Sequence, residues 1–370
     1  MSLDNAVLTT DNCRYCLMCR HVCPVGHVTR LETLTPHGWG LLISSVQRGL
    51  ATWTDSAVDK LYSCADCGTC QSHCVTDQPL PAAIAEARAD VAAAGLAPAH
   101  VVALNQAIER WGNPYREQEP EAVSGTGDVA LFVGDEALYL WPDGLQAALH
   151  LLRAAGIDPV LIGAGRNSGY VPSSLGFPET ARRLAAANLA DLQASQATTL
   201  LTLNPGDTYV FGTLYSERLG IDFPANIELQ EVTALLAERL AAGDLKLRRG
   251  AGGPPYAYID PAHTSRMAGR DAAPRQLLAA VMPAPGRELF WRRERTHPAG
   301  STSLRFANPM IAEHLTYARL GDARAAGAQV LICEDAGTLN VLASLAPRFG
   351  LTIQGLYELL AEQLEGTQGN

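Results

Sequence analysis

The sequence predicts a helical, cysteine-rich module followed by an α/β domain that is built from two similar halves. Three observations predict this arrangement. Eight of the nine cysteines lie in two runs of equal spacing, both of which end by residue 74. Strand and helix patterns alternate from residue 129 onward, and the alternation recurs weakly from residue 256. We expect the module over residues 1–96, a linker over 97–128, one half over 129–250 and the other over 251–370, which includes a C-terminal helix.

The two cysteine runs have identical gaps of two, two and three residues. They are Cys13, Cys16, Cys19 and Cys23, and Cys64, Cys67, Cys70 and Cys74. In two-cluster ferredoxins, such a run gives three thiolates to one [4Fe–4S] cluster and its fourth thiolate to the other cluster. We therefore predict two [4Fe–4S] clusters with crossed ligands. Cys13, Cys16, Cys19 and Cys74 hold one cluster, and Cys64, Cys67, Cys70 and Cys23 hold the other.

Zinc and disulfides are the competing uses of these cysteines. A structural zinc site usually has two pairs of ligands and not two runs of four. Disulfides are disfavoured in the cytoplasm, where we expect this protein because residues 1–13 lack the basic and apolar regions of a signal peptide. No apolar run is long enough to predict a transmembrane helix, so any membrane association would be through a partner. The net charge of −10 argues against a nucleic-acid partner.

The chain between and after the cysteine runs favours helices. Residues 37–53 and 55–64 have helical patterns, and residues 81–95 predict a helix that leaves the module. With the cysteine spacing, this arrangement resembles the α-helical ferredoxin module of the iron–sulfur subunits of succinate dehydrogenase and heterodisulfide reductase. The histidines near the cysteines are not expected to be ligands, because eight cysteines already complete two clusters.

The remainder of the chain alternates between short apolar strands and longer amphipathic helices. The linker is predicted to begin as a helix and to become polar. The predicted strands cover 129–135, 158–165, 197–207, 256–263 and 328–335, with a further candidate strand at 287–294. The predicted helices cover 144–157, 178–195, 273–282, 309–327 and 337–350. This order indicates a parallel or mixed α/β structure.

A helical ferredoxin followed by two such halves resembles a known arrangement. It is similar to the iron–sulfur proteins of glycolate oxidase, of anaerobic glycerol-3-phosphate dehydrogenase and of lactate utilisation. Their second part is the CCG domain, which carries cluster-binding cysteines in each half. The corresponding positions here are Gly134-Asp135, Asn167-Ser168-Gly169, Asn204-Pro205-Gly206-Asp207, Asp260-Pro261-Ala262-His263, Pro298-Ala299-Gly300 and Cys333-Glu334-Asp335-Ala336. Only Cys333 remains, so the resemblance implies a degenerate CCG domain without a cluster of its own.

A few residues of this domain are candidates for a second site. Asp260, His263 and Arg266 follow a predicted strand, where α/β folds bind ligands, and a flavin edge, a quinone or a small acid could bind there. The alternative is structural, with Asp260 capping a helix and His263 packed in the interior. His297 precedes one of the changed turns, and Cys333 is expected to be an inert buried thiol.

The resemblance implies an electron-transfer subunit that has no catalytic residue of its own. Its partner would be a flavoprotein dehydrogenase acting on a hydroxy acid, a polyol or an amine, and its acceptor a quinone, a ferredoxin or an electron-transfer flavoprotein. Two alternatives remain open. One is an oxidoreductase with its own substrate or cofactor pocket in the degenerate domain, and the other is a scaffold subunit with structural clusters.

Overall fold

The N-terminal part of the protein is made of short helices. The computed structural model describes residues 9, 12–120, 123, 125–267 and 269–365. The described α-helices of this part are α1 (Met18–His21), α2 (Pro24–Thr29), α3 (Pro36–Gln47), α4 (Asp55–Leu61), α5 (Thr69–Ser72), α6 (Leu80–Ala93) and α7 (Ala99–Trp111), with a short 3-10 helix (Glu32–Leu34) between α2 and α3. The helices predicted over 37–53, 55–64 and 81–95 are present as α3, α4 and α6, and α7 is the helical start of the predicted linker.

Local sequence signals explain where the longer helices of this part begin. Thr35 caps α3 by accepting a hydrogen bond from the Gly38 backbone N–H at 3.3 Å, and proline occupies the first position of the helix. Thr54 caps α4 in the same way. The buried Trp39 indole of α3 donates a hydrogen bond to the Lys60 carbonyl at 2.7 Å, which fixes α3 against α4.

The rest of the chain forms two parallel sheets with helices around them. The strands are β1 (Val129–Phe132), β2 (Val160–Ile162), β3 (Thr199–Thr202), β4 (Glu228–Glu231), β5 (Tyr256–Tyr258), β6 (Val330–Cys333) and β7 (Thr352–Gly355). The first sheet has the order β2-β1-β3-β4 and the second the order β5-β6-β7. The helices are α8 (Gly134–Leu140), α9 (Pro142–Ala154), α10 (Tyr170–Leu175), α11 (Pro178–Ser195), α12 (Pro205–Tyr209), a π-helix (Val210–Leu219), α13 (Val232–Ala242), α14 (Ala272–Val281), α15 (Leu304–Ala307), α16 (Pro309–Ala325), α17 (Ala336–Leu345) and α18 (Leu356–Ala361).

Alternate strand residues face different apolar cores. Leu131 and Leu201 belong to a core that the first sheet shares with Tyr258 of the second sheet. Their neighbours Ala130 and Leu200 belong to a separate core on the other face of the first sheet. Both faces of these parallel strands are therefore buried, which explains why the strands are recognisable as short continuous apolar runs.

The helical module packs directly against the α/β part. The apolar core of the module also contains residues of α10, α11, α15 and α16, so the two parts share this core where they meet. The buried Arg88 of α6 donates hydrogen bonds to the carbonyls of Leu61, Cys64 and Ser174. Gly176 is the residue after α10 and has a φ of +93°. It lies so close to α6 that an added Cβ would be 2.4 Å from the Arg88 carbonyl carbon. The predicted domain boundaries themselves remain predictions.

The structure corrects one predicted element and adds several. Residues 287–294 do not form a strand: only Arg287 pairs with β5, through a single parallel bridge to Ala257. The Asp322 carboxylate instead accepts hydrogen bonds from the backbone N–H groups of Phe290 and Trp291. The strands β4 and β7 and the π-helix were not predicted. Nowhere in the described part of the chain is a helix both long and apolar enough to cross a membrane.

Candidate metal centres and an adjoining cavity

The two cysteine runs follow the same backbone path. Tyr15 and Leu17 have φ values of +52° and +60°, and the equivalent residues Asp66 and Gly68 have values of +49° and +76°. Positive φ is costly for residues other than glycine and is concentrated at functional sites, where the surrounding structure enforces it. The repeated conformation indicates that both loops arrange their cysteines in the same geometry.

Backbone N–H groups point at the cysteine sulfurs in both loops. The N–H of Tyr15 donates to Cys13 Sγ, and the N–H of Asp66 donates to Cys64 Sγ, each at 3.4 Å. The third cysteine of each run then lies in a four-residue helix, α1 or α5. Donors of this kind stabilise a negatively charged thiolate, which is the form that binds metal.

One group of thiols combines three cysteines of the first run with the last of the second. Burial, together with the nearby thiols of Cys13, Cys74 and Cys16, raises the pKa of Cys19 to about 11. These four cysteines line a cavity of about 70 Å³, and Cys70 of the second run lines it as well. The predicted ligands of the first cluster therefore lie together, with one predicted ligand of the second cluster beside them, and the ligand assignment itself remains a prediction.

The other group has the complementary composition. Burial raises the pKa of Cys23 well above its usual value, and Cys67 and Cys64 also raise it, against a backbone hydrogen bond from Gly26. Burial likewise raises the pKa of Cys70, and its thiol neighbours are Cys67, Cys64, Cys23 and, more weakly, Cys19. Cys70 and Cys19 therefore lie between the two groups.

The chemistry of both groups fits iron–sulfur clusters. Several crowded thiols with raised pKa values are unfavourable as free thiolates, and bound iron would supply the missing positive charge. Among the described residues, no three His, Cys, Asp or Glu side chains converge as the ligands of a single metal ion do. A four-iron cube is wider than one ion, so its cysteines must stand farther apart than zinc ligands.

The two groups differ in their exposure to solvent. Cys16 of the first group is exposed, and the apolar side chains of Tyr15, Met18 and Leu41 around it are 57%, 48% and 47% exposed. Cys23, Cys64 and Cys67 of the second group are buried. The chain therefore presents one thiol group near its surface and the other in its interior.

A buried ion pair fixes the loop of the second group. Arg218, at the end of the π-helix, donates two hydrogen bonds to the Asp66 carboxylate, at 2.9 and 2.8 Å. Burial tends to raise the pKa of Asp66, but the charge and hydrogen bonds of Arg218 outweigh it and lower the pKa. The pair holds the residue between Cys64 and Cys67 in its strained conformation.

A second arginine lies beside this group, and no carboxylate of the described residues pairs with it. Arg266 is half-buried next to Cys67 and Cys70, and its Nη2 donates to Thr69 Oγ1 and to the Thr296 carbonyl. Its Nε and Nη1 are buried and have no hydrogen-bond partner in the described part of the chain. A negatively charged cluster bound to these cysteines would supply hydrogen-bond acceptors for the unpaired N–H groups of Arg266.

The three predicted pocket residues do not surround one cavity. Asp260 is in a buried ion pair with Arg275, at 2.6 and 3.0 Å, and its carboxylate also accepts a hydrogen bond at 2.8 Å from the backbone N–H of Arg293, the first residue of a short 3-10 helix (Arg293–Arg295). Arg266 contacts the cysteine module. His263 bonds through Nε2 to the Asp66 carbonyl at 2.8 Å and stacks on Tyr209.

His297 and Cys333 have interior positions. His297 bonds to the Val22 carbonyl at 3.1 Å and stacks on Trp291, and burial lowers its pKa to about 2. It therefore contacts the residue that precedes Cys23. Cys333 is fully buried at the end of β6, and burial raises its pKa.

A polar cavity lies beyond His263, at the carboxyl ends of strands from both sheets. Asp135 follows β1, Asn204 and Asp207 follow β3, and Asp335 follows β6. His263 lines the cavity and also contacts the loop of the second thiol group.

Comparisons with known proteins identify the class of the N-terminal part. Residues 9–77 match the model of a 4Fe-4S dicluster domain, so a ferredoxin-type iron–sulfur domain is present and indicates electron transfer through iron–sulfur clusters. No curated protein matches this chain significantly. The crystal structure of a hypothetical protein from Helicobacter pylori is similar, with a TM-score of 0.63 and 13% identity over 93% of this chain and 71% of that chain. At this identity the likeness shows a shared fold.

Sequence reasoning located the thiols but placed no arginine beside them, although Arg266 was a candidate for a separate site. Arg88 and Arg218 come from an ordinary helix and a π-helix, and no motif marks either residue. Arg218 lies 152 residues from Asp66, and Arg266 lies 197 residues from Thr69. Only the three-dimensional fold brings these partners together.

Proposed function

We propose that this protein is an electron-transfer subunit with two [4Fe–4S] clusters. Cys13, Cys16, Cys19 and Cys74 would hold one cluster, and Cys64, Cys67, Cys70 and Cys23 the other. When bound, the clusters supply one-electron oxidation and reduction. A flavoprotein dehydrogenase would be the partner on one side, and a quinone, a ferredoxin or an electron-transfer flavoprotein on the other.

The observation that carries this proposal is the arrangement of the two thiol groups. One group lies near the surface with exposed apolar side chains around it, and the other is buried. A charge on Cys19 raises the pKa of Cys70, which indicates that the two thiol groups are close to each other. This arrangement suits an electron relay in which a partner protein docks beside the exposed thiol group.

The residues of the chain have clear tasks in such a relay. Backbone N–H groups bind the sulfurs, Arg218 holds the Asp66 loop in place, and Arg266 adds positive charge beside Cys67 and Cys70. The packing of α10, α15 and α16 against the module excludes water from the second group. These features control electrostatics and solvent access, which set the potential of a cluster.

We further propose that the α/β part is a degenerate CCG domain of two related halves. In support, the first sheet has the order β2-β1-β3-β4, and the Arg287 bridge extends the second to a similar order, with Arg287 beside β5, then β6 and β7. Residues at the changed cysteine positions, among them Asp135, Ser168, Asn204 and Asp207, line one cavity. Because of this cavity, an oxidoreductase with its own substrate or cofactor pocket remains an alternative function.

Reduction by free flavin tests the relay directly. We would mix anaerobically purified protein with photoreduced flavin mononucleotide and follow the visible absorbance of the clusters. Rapid bleaching that reverses with an added oxidant is expected. Clusters that stay oxidised with both reduced flavin and dithionite would instead indicate a scaffold with structural clusters.

A further inference from the structure

Arg88 is a fully buried cation beside the second thiol group. It is 1% exposed, and its guanidinium donates to the carbonyls of Leu61, Cys64 and Ser174, with 2.8 Å between Nη2 and the Cys64 oxygen. Within the part of the chain that the structure describes, Arg88 is in no ion pair. Because arginine stays protonated in proteins, this buried charge requires a nearby negative group. A cluster bound to Cys64 and the neighbouring thiols would be such a group.

Thr69 connects a second cation to the same thiol group. It is fully buried, and its hydroxyl accepts a hydrogen bond from Arg266 Nη2 and lies 3.4 Å from Cys67 Sγ. A guanidinium can only donate, and a metal-binding thiolate has no proton. The Thr69 hydroxyl therefore donates its proton to the Cys67 sulfur, and the positive charge of Arg266 strengthens this hydrogen bond.

The first thiol group has a similar relay that ends in a neutral residue. Thr76 Oγ1 lies 3.4 Å from Cys74 Sγ and accepts a hydrogen bond from the Gln78 side-chain amide at 2.9 Å. Arg14 is the only lysine or arginine among the described residues that line the cavity of this group, and it is exposed, so solvent screens its charge. The two groups therefore have comparable hydroxyl donors but different charges behind them.

Burial and positive charge favour opposite orders of the two cluster potentials. A buried cluster is harder to reduce than an exposed one, because the protein interior stabilises the added negative charge poorly. The same low dielectric constant leaves the charges of Arg88 and Arg266 weakly screened at the second thiol group. Among the described residues, no carboxylate pairs with either arginine, so both charges can stabilise a reduced cluster.

We propose that Arg88, Arg266 and Thr69 raise the potential of the cluster at the second thiol group above that of the cluster at the first. The more buried cluster is then the first to be reduced in a titration. This inference rests on the proposed function and adds to it the order in which the two clusters accept electrons. Arg88 and Thr69 act through the cysteine ligands, by charge and by hydrogen bonds, and contact no substrate.

A redox titration of the full chain, purified with its clusters and followed by electron paramagnetic resonance, tests this order. A soluble dysprosium(III) complex assigns the two signals, because it speeds the spin relaxation of the more exposed cluster. We expect the signal that dysprosium affects less to have the higher midpoint potential. An equal or reversed order would overturn this inference alone. The absence of two reducible clusters would overturn the proposed function, and this inference with it.

Thr69→Val keeps the size of the side chain and removes its hydroxyl. It should lower only the potential of the second cluster, by at least about threefold in the one-electron equilibrium, or about 30 mV. Thr69→Ser retains the hydroxyl and should keep the original potential. Thr76→Val is the matched control at the first cluster, where the loss should be smaller because Gln78 is neutral.

Three results with these variants would contradict the proposal. They are an unchanged second potential in a folded, iron-loaded Thr69→Val variant, a Thr69→Ser variant that loses as much as Thr69→Val, and an equally large shift of the first potential in Thr76→Val. Circular dichroism and iron content verify that each variant is folded and loaded.

Arg88→Met removes the buried cation and retains an unbranched side chain. The second potential should fall about tenfold in the one-electron equilibrium, or roughly 60 mV. Arg153→Met is the control, because Arg153 is exposed and pairs with Asp158 at the surface, and both potentials should stay unchanged. An unchanged second potential in a loaded Arg88→Met variant would overturn the role of Arg88. If this variant does not fold, the order of the two potentials and the Thr69 variants decide.

Discussion

Single residues determine how the cysteines of this protein can act. The eight clustered thiols were predictable, because their spacing alone indicates iron–sulfur ligands. The charges around them were not, because Arg218 and Arg266 reach the cysteine loops from distant parts of the chain. For Asp260, His263 and Arg266, proximity in sequence did not predict a shared cavity, since each side chain turns to a different partner.

Arg266 is expected to raise the potential of the cluster that we propose for Cys64, Cys67, Cys70 and Cys23. A buried cation stabilises the reduced, more negative state of a cluster. Arg266→Gln should therefore lower this midpoint potential by roughly 60 mV, a tenfold change in a one-electron equilibrium. Electron paramagnetic resonance titration measures the shift. Arg153→Gln, on the exposed surface, is the matched control, and an unchanged potential in Arg266→Gln would refute the role of this charge.

The crossed ligands predict distinct effects for the last cysteine of each run. Cys23→Ser should damage the cluster held mainly by the second run, whereas Cys74→Ser should damage the one held mainly by the first. The reduced-state resonance spectra of the two variants should then lack different clusters. If Cys23→Ser removes the Cys13–Cys16–Cys19 cluster, the crossed assignment is wrong.

Individual elements were predictable where a single strong pattern determined them. The helix predicted over 178–195 is present as α11 with the same bounds, because its apolar periodicity and its starting proline agree. The candidate strand at 287–294 failed because a distant carboxylate, Asp322, binds its backbone N–H groups. Short strands such as β4 and β7 have a weaker apolar pattern and depend on pairing with their neighbours.

The contact between α6 and the end of α10 predicts a stability effect. Gly176→Ala adds a Cβ that would overlap the Arg88 backbone at a position with positive φ. The variant should lose more than about 1 kcal/mol of unfolding free energy. Gly95→Ala is the control, since Gly95 also has positive φ but no neighbouring atoms within 4 Å. Equal losses in anaerobic denaturation of both variants would show that the close contact has no energetic role.

The molecule as a whole buries several carboxylates at the sheet ends, which predicts how its stability depends on pH. Burial raises the pKa of Glu334 to about 8 and that of Glu136 to about 7. The folded state therefore binds more protons than the unfolded state above about pH 4.3, so stability should fall as pH rises from about 5 to 8. Anaerobic thermal unfolding across this range measures the trend.

Replacing one buried carboxylate isolates its contribution. Glu334→Gln should reduce the fall in stability between about pH 5 and pH 8, because Gln cannot lose a proton. Glu334 accepts a hydrogen bond from the Tyr258 hydroxyl, and the Gln carbonyl oxygen can accept the same bond. Glu228→Gln, at an exposed position of β4, should leave the slope unchanged. An unaltered slope in Glu334→Gln would contradict the origin proposed here.

Iron and sulfide analysis combined with a redox titration tests the central claim most directly. The protein would be purified anaerobically and titrated by electron paramagnetic resonance. We predict about eight irons and eight sulfides per chain and two clusters that undergo one-electron reduction. About twelve irons would contradict the proposed loss of cluster ligands from the α/β part, and bound zinc without sulfide would contradict the iron–sulfur assignment itself.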